Sequence, residues 1–435
     1  MATEEVLHMN GGVGETSYAN NSLFTRKVFM KVMPILKENI TKVYTNINVP
    51  KNCLKVGDLG CSSGSNTFFA ASEIMGMVDE VCLRLKMKTP EFHIFLNDLP
   101  SNDFNSNFKS LPDFHKKLHQ QKGHNFGPCF IVGVPGSFYR RLFPENSIDF
   151  FHSTYSAHWL SQVPKGLIGR GLNKGNIYIA KTSPPSVWKA YCEQFEQDFK
   201  LFLTHRSLEL VKGGGMVLTL LGRSLDEDEE PISTFGLIGK ALHDMVLENK
   251  VEEAKLDSFD IPYYGPNEKE VRKIIEGEGS FTLERLEICN IGWDAGINEG
   301  DDSIVYDNFM RAKFIANNMR AVIEPLLKIH FGDAIMDELF FRFSNKLVQL
   351  MENKRDGRRG WIQVSFKHTY NDDEDHEATS SDSRVRSLRR AGIGSEEAAR
   401  KFFLGMSMEE KMKVRRDEFN VLGYFEAEYT KNVRD

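Results

Sequence analysis

Residues 54–60 (LKVGDLG) form a short apolar run that ends in Asp58 and Gly60, and apolar side chains recur at helical spacing over residues 66–85. This is the pattern of a strand, a tight turn and a helix. A buried strand meeting a helix through glycines, with an acidic residue at the strand's end, begins an open parallel sheet whose ligand site lies at the carboxyl edge. Residues 92–99 (FHIFLNDL) repeat the theme and also close on an acidic residue. Further strands are expected at 129–134, 148–153, 176–180 and 216–221, with a long helix over 186–211 between the last two. The alternation is that of a doubly wound α/β sheet.

Beyond residue 230 the pattern turns mostly helical, with helices expected at 235–247, 268–276 and 309–331 and a strand-like stretch at 281–291. A core over residues 1–230 would thus carry a helical cap at 231–345, seated over the sheet's carboxyl edge. Asp333 suits the N-cap of one more helix, and residues 346–368 return to the core with a last strand at 360–366. Residues 369–435 open with an acidic, serine-rich run too polar to bury a core, followed by a charged helical stretch at 395–428.

Composition narrows the function. A chain of 435 residues with 41% hydrophobic content can bury a large core plus an appended unit. The formal net charge of −6 offers no sequence-independent attraction to nucleic acid or to an anionic membrane, so neither is expected as a partner. The six cysteines include no C-x-x-C pair, which argues against a zinc site and a disulfide framework. No secretory leader pattern and no apolar run of membrane-spanning length is present, and a cytoplasmic enzyme is the expectation.

The turn DLGCSSG at 58–64 lets backbone approach a ligand closely, yet its spacing is not the G-x-G-x-x-G of dinucleotide enzymes. An acidic residue inside the motif suits a ligand bearing a positive amino group. Asp98 can accept both hydroxyls of a ribose, or it can serve as a turn residue ahead of Pro100. Ser137-Phe138 offers a hydroxyl and a stacking face, or a turn with a buried ring.

YANNS (18–22), DLGCSSGSNT (58–67), NDLPSNDFN (97–105), GVPGSFYRRLFP (133–144), HWLSQVP (158–164) and MRAVIEPLL (319–327) together resemble the SABATH family of plant methyltransferases. Its members methylate salicylate, benzoate, jasmonate or purine alkaloids. The resemblance runs in order over residues 1–368 and implies a class I methyltransferase fold, S-adenosylmethionine as cofactor and a homodimer. It further implies that Tyr18, Asp58, Cys61 and Asn66 surround the methionine part, Asp98 and Leu99 hold the ribose and adenosine, and Ser137 and Phe138 meet the adenine. Tyr155, His158, Trp159, Phe235, Met319, Val322 and Trp361 would line the acceptor pocket. By itself a His or Trp at such a position is more often core.

A carboxylate acceptor is ionised at neutral pH and needs no general base, so the pocket should be apolar with a few donors rather than carry a catalytic triad. Indole N–H of Trp159 and either nitrogen of His158 are candidate donors. Two residues depart from the salicylate-type pattern: Thr25 stands where those members have a glutamine, and His158 where they have a methionine. The resemblance also implies a magnesium site at Asn173, Asp257, Phe259 and Asp260, against the alternative of a plain loop ahead of IPYYGP. The reading is therefore a methyltransferase forming esters of small carboxylic acids. Its rivals are a purine N-methyltransferase of the same family and a non-catalytic binding protein. Because the tail at 369–435 lies beyond the resemblance, truncation after His368 should leave donor affinity and turnover within roughly twofold, about 0.5 kcal/mol. A tenfold loss of turnover in the folded truncated protein would show that the tail reaches the site.

Overall fold

The computed structural model describes residues 7–46, 52–123, 126–223, 233–297, 306–353 and 358–368. All belong to the first of two compact units, Met1–Tyr370. The second unit, with the helix expected at 395–428, lies outside the described residues.

In chain order the elements are α1 (Tyr18–Asn21), α2 (Leu23–Asn46), β1 (Cys53–Leu59), α3 (Ser65–Leu85), β2 (Glu91–Asp98), α4 (Phe104–Lys122), β3 (Cys129–Pro135), β4 (Ile148–Thr154) and α5 (Pro185–Glu209). There follow β5 (Leu210–Gly222), α6 (Thr234–Leu247), α7 (Glu253–Asp257), α8 (Glu268–Glu278), β6 (Phe281–Gly292), α9 (Asn308–Phe331), α10 (Met336–Glu352) and β7 (Arg358–His368). The strands form one sheet in the order β3-β2-β1-β4-β5-β7-β6. β1 to β5 run parallel, and β7 is antiparallel to both its neighbours. The chain reverses direction across the sheet between β1 and β4, which opens a crevice at their carboxyl ends.

Buried side chains explain the layers. Val56, Phe92 and Ile94 of the sheet pack with Leu36, Ile40, Ile74, Val78 and Phe114 from α2, α3 and α4 on one face. Phe151 and Leu218 pack with Phe195, Phe199 and Phe202 of α5 on the other. A separate apolar cluster joins Phe235, Ile238, Met319, Ile323, Phe340 and Phe343 of α6, α9 and α10 to Trp159 and Tyr263. It is distinct from the two clusters that face the sheet.

Several expectations are corrected. Residues 281–291, assigned above to the cap, form the sheet's edge strand, paired with β7 from Phe281 opposite His368 to Gly292 opposite Arg358. Two helices, α9 and α10, separate the partners in the chain, so no local pattern reveals the pairing. Residues 176–180 are not a strand. Ile177 and Ile179 are buried as in a strand, but Ile177 gives its carbonyl to the amide of Ile261 in a loop. Asp333 is not an N-cap; it begins a 3-10 turn, Asp333–Ile335, and α10 starts only at Met336. Helices α2 and α4 carry Pro34 and Pro112 in their interiors, residues that read as helix breakers, and the sequence pattern did not announce either helix.

One buried ion pair fixes the loop after β3. Arg206 and Glu209, both fully buried, pair at 2.8 and 2.9 Å. Arg206 donates onward to the carbonyls of Phe138 and Arg140, while Glu209 accepts from the amides of Leu142 and Phe143. Both members of the pair thus hold backbone of residues 138–143. Replacing Arg206 leaves the buried Glu209 with only the more distant Arg141, at 3.8 Å, as counter-charge, at a cost of about 3–5 kcal/mol. Arg206→Met should accordingly lower the unfolding free energy by that much in a urea titration, and a change under about 1 kcal/mol would show the loop to be held otherwise.

Candidate active site

The turn after β1 can follow its path because two of its residues have no side chain. Gly60 has φ of 75°, and a Cβ there would lie 2.1 Å from the Ser156 hydroxyl. Gly64, at φ of 105°, packs so closely on α1 that a Cβ would sit 2.7 Å from the Cα of Ala19. Between them the backbone is held by side chains from β2 and α4. The amide of Ser62 donates to Asp98 Oδ2 at 2.7 Å, and its carbonyl accepts from Asn102 and Asn107 at 3.0 and 2.8 Å. Gly64 donates to Asn107 Oδ1 at 3.0 Å.

Two cavities meet over this turn. The larger, about 690 Å³, is lined by Leu7, His8 and Met9, by Asp98, Leu99, Ser137 and Phe138, and by Tyr155, Ser156 and Trp159. The smaller, about 440 Å³, is lined by Thr25, Arg26, Asp58, Cys61, Asn66, Phe69 and His152, among others. Tyr18, Gly60, Ser62 and Thr154 border both. The residues expected around a methionine moiety thus share the smaller space, and those expected at ribose and adenine share the larger. The chain ahead of α1 closes over the larger cavity. Asn10 is tied to Ala321 and Glu324 of α9, and Gly12 donates to Asp103, the N-cap of α4.

Asp98 accepts one amide on each oxygen, Ser62 on Oδ2 and Leu99 on Oδ1 at 2.8 Å. Desolvation pushes its carboxyl up to about 6, against the lowering effect of those two amides. A carboxylate has about four acceptor positions, so each oxygen keeps one for an incoming hydroxyl. Ser62 Oγ is buried with no hydrogen-bond partner among the described residues. An adenosyl amino acid therefore fits the chemistry of these linings. Burial drives the Cys61 thiol well above the usual range, and Asp98 and Asp58 add to the effect, which disfavours the thiolate that a nucleophile needs.

Sequence reasoning missed His152. It is buried at the end of β4, with Nδ1 at 2.8 Å from Asp58 Oδ1 and Nε2 at 3.0 Å from Thr154 Oγ1. Parallel pairing of β1 with β4, Asp58 opposite His152, brings the two together, a proximity that 94 residues of separation conceal. Asn97, Asn102 and Asn107 were also missed as supports. The NDLPSNDFN motif was the visible signal for the first two; Asn107 lies just beyond it.

On the acceptor side, Trp159, Phe235 and Met319 lie in one apolar cluster with Val322 packed against it, as are Leu99 and Met9 of the larger cavity. Tyr263 organises the rings: its centroid lies 5.2 Å from His158, 5.8 Å from Trp159 and 5.0 Å from Phe235. Tyr155, at φ of 59°, stacks on Phe24 at 5.8 Å. His158 is buried, and its Nδ1 accepts the amide of Leu221 at 3.1 Å. The sequence alone allowed donation from either nitrogen; the structure leaves only Nε2, which carries the proton of the neutral ring. Thr25 Oγ1 is engaged with the Tyr18 hydroxyl at 3.0 Å. Trp361 lies in β7, where its backbone stands opposite Leu221 on one side and Cys289 on the other.

The residues expected to hold magnesium are neighbours, their side chains engaged with one another and with nearby backbone. Asn173 donates its amide to Asp260 at 2.9 Å and accepts from Ser183 at 2.6 Å, and Asp257 accepts from the amide of Gly175 at 2.8 Å. The ring of Phe259 packs on His330 and Phe331. Burial raises the Asp260 carboxyl to about 6, against the lowering effect of hydrogen bonds from Asn173 and Tyr191. Among the described residues no group of three or more His, Cys, Asp or Glu is placed to hold a metal.

Comparison with known proteins agrees with this architecture. A benzoic acid/salicylic acid carboxyl methyltransferase of Petunia hybrida is 46% identical over 360 residues, covering 82% of this chain and 96% of that one. A probable caffeine synthase of Coffea canephora is 45% identical over 365 residues, 81% of this chain and 94% of that one. The structure of a loganic acid methyltransferase with S-adenosylhomocysteine superposes with a TM-score of 0.71 at 32% identity, covering 84% of this chain and 100% of that one. No described helix is long and apolar enough to cross a membrane. The model of the SAM-dependent carboxyl methyltransferases matches residues 4–368, and the chain belongs to that family.

Proposed function

We propose that this chain methylates the carboxylate of a small, largely apolar acid of the benzoate, salicylate or jasmonate kind. The hydrogen bond that the Leu221 amide donates to His158 Nδ1 is the observation that carries the choice. With Nδ1 filled by the Leu221 amide, the proton of the neutral ring is on Nε2, and the ring has no nitrogen to receive another. A carboxylate wants donors and is already ionised; a purine N–H must first give up its proton. Rings of Trp159 and Tyr263 beside His158, with Phe235 against Tyr263, supply an apolar wall that strips water from the acceptor.

In this reading S-adenosylmethionine supplies an already activated methyl group. Asp98 and Leu99 hold the ribose, Ser137 and Phe138 the adenine, and Tyr18, Asp58, Cys61 and Asn66 enclose the amino-acid end. His158 and Trp159 orient the acceptor oxygen, and Tyr155, Phe235, Met319 and Val322 shape its pocket, with Trp361 at a register position beside Leu221. No residue serves as general base. Thr25, engaged by Tyr18, leaves the carboxylate to the other donors. The relatedness to a probable caffeine synthase motivates the alternative of purine N-methylation.

Two experiments test the reading. With a labelled methyl donor, benzoate, salicylate and jasmonate should yield methyl esters and xanthines no product; N-methylxanthine without any ester would overturn the proposal. Asp98→Asn should weaken S-adenosylhomocysteine binding by tenfold or more, since hydrogen bonds to a charged group contribute about 1.5–3 kcal/mol each. The hydroxyls require the ionised carboxylate, so wild-type affinity should fall as pH drops through about 6 while that of the variant stays level. The folded value lies above the unfolded one of about 3.9, so the ionised group costs stability at pH 7, and that cost fades as pH falls below about 6. The ligand-free wild type should therefore gain in melting temperature relative to the variant as pH is lowered from neutral. Calorimetry and melting curves across that range check both signs.

A further inference from the structure

The smaller cavity holds a cation that neither the sequence motifs nor the reading above employs. Arg26 sits in the first turn of α2 and lines the cavity with Asp58, Asn66 and His152. Its guanidinium carbon lies 4.0 Å from the centroid of Phe69, whose ring meets Phe29 edge to face. Phe29 in turn meets His152, the residue bonded to Asp58. Arg26 makes no ion pair among the described residues. A half-buried guanidinium held by an aromatic face keeps its fork of N–H donors for a planar anion.

We infer that Arg26 receives the α-carboxylate of the donor's methionine moiety, a role that rests on the donor reading above. The amino-acid end of such a ligand is a zwitterion, and the cavity lining carries one charge of each sign. Asp58, oriented by His152, suits the ammonium. A carboxylate withdrawn from water needs a charged hydrogen-bond donor, and Arg26 is the lining residue that supplies one. Asn66 and Thr67, in the first turn of α3, line the same cavity, so the positive end of that helix's dipole lies on this side. The charges also balance. A sulfonium donor with ammonium and carboxylate carries a net single positive charge, and Arg26, Asp58 and ionised Asp98 together carry a net single negative one. Without Arg26 the lining would be doubly negative.

The test compares two ligands in the full-length protein by calorimetry. S-adenosylhomocysteine carries the carboxylate, and 5′-deoxy-5′-(3-aminopropylthio)adenosine lacks it while keeping the amine and the adenosine. Arg26→Gln should weaken the first by roughly 10- to 100-fold and change the second by less than twofold, and Arg26→Lys should recover part of the loss. Equal weakening of both ligands would mark Arg26 as structural and overturn the proposal, as would no change in either. Failure of the wild-type protein to bind S-adenosylhomocysteine would instead remove the donor reading itself.

Discussion

The structure depends on the turn that follows β1. Its backbone runs between two glycines that cannot carry side chains, one against Ser156 and one against Ala19, and the amide and carbonyl of Ser62 are both claimed from β2 and α4 and the loop between them. The same Asp98 that accepts the Ser62 amide lines the larger cavity, so support of the turn and recognition of a ligand share one carboxylate. Residues further along are held to this point in turn. Asn97 donates to Val134 and Gly136, and the Arg206–Glu209 pair carries the loop that continues to Phe138.

Such economy has an energetic cost. A desolvated carboxylate at Asp98 subtracts stability in the empty protein, and the hydroxyls of a bound ribose are what would offset it. The buried Arg206–Glu209 pair is of the same kind. A well-packed apolar pair of similar volume would often be as stable, but it could not hold four backbone groups of residues 138–143 in one path. Polar burial here serves position. The apolar cluster works by the opposite principle: rings and aliphatic side chains from α6, α9 and α10 pack with Trp159 and Tyr263.

Much of the parallel half was legible because strand, turn and helix are local. LKVGDLG and FHIFLNDL end at the residues that line the cavities, and a period of two or of 3.6 needs no distant partner to be read. Legibility failed where the partner was distant or the signal mixed. β6 was taken for part of the cap because its partner β7 lies beyond two further helices, and Ile177 and Ile179 imitate a strand through burial alone.

What the sequence determined by itself was the family, the sheet that begins at LKVGDLG, and the identities of Asp58, Asp98, Ser137 and Phe138 as cavity-lining residues, since these follow from local motifs and the chemistry of single side chains. Tertiary structure alone decided which groups share a charge or a proton. His152 meets Asp58 because β1 and β4 run side by side at the point where the sheet reverses, and Arg26 reaches the same cavity because α2 packs against α3. His158 became a one-sided donor because strand β5 brings the Leu221 amide to its Nδ1. Protonation, pairing and reach are properties of distance, and distance between residues far apart in the chain exists only once the chain has folded.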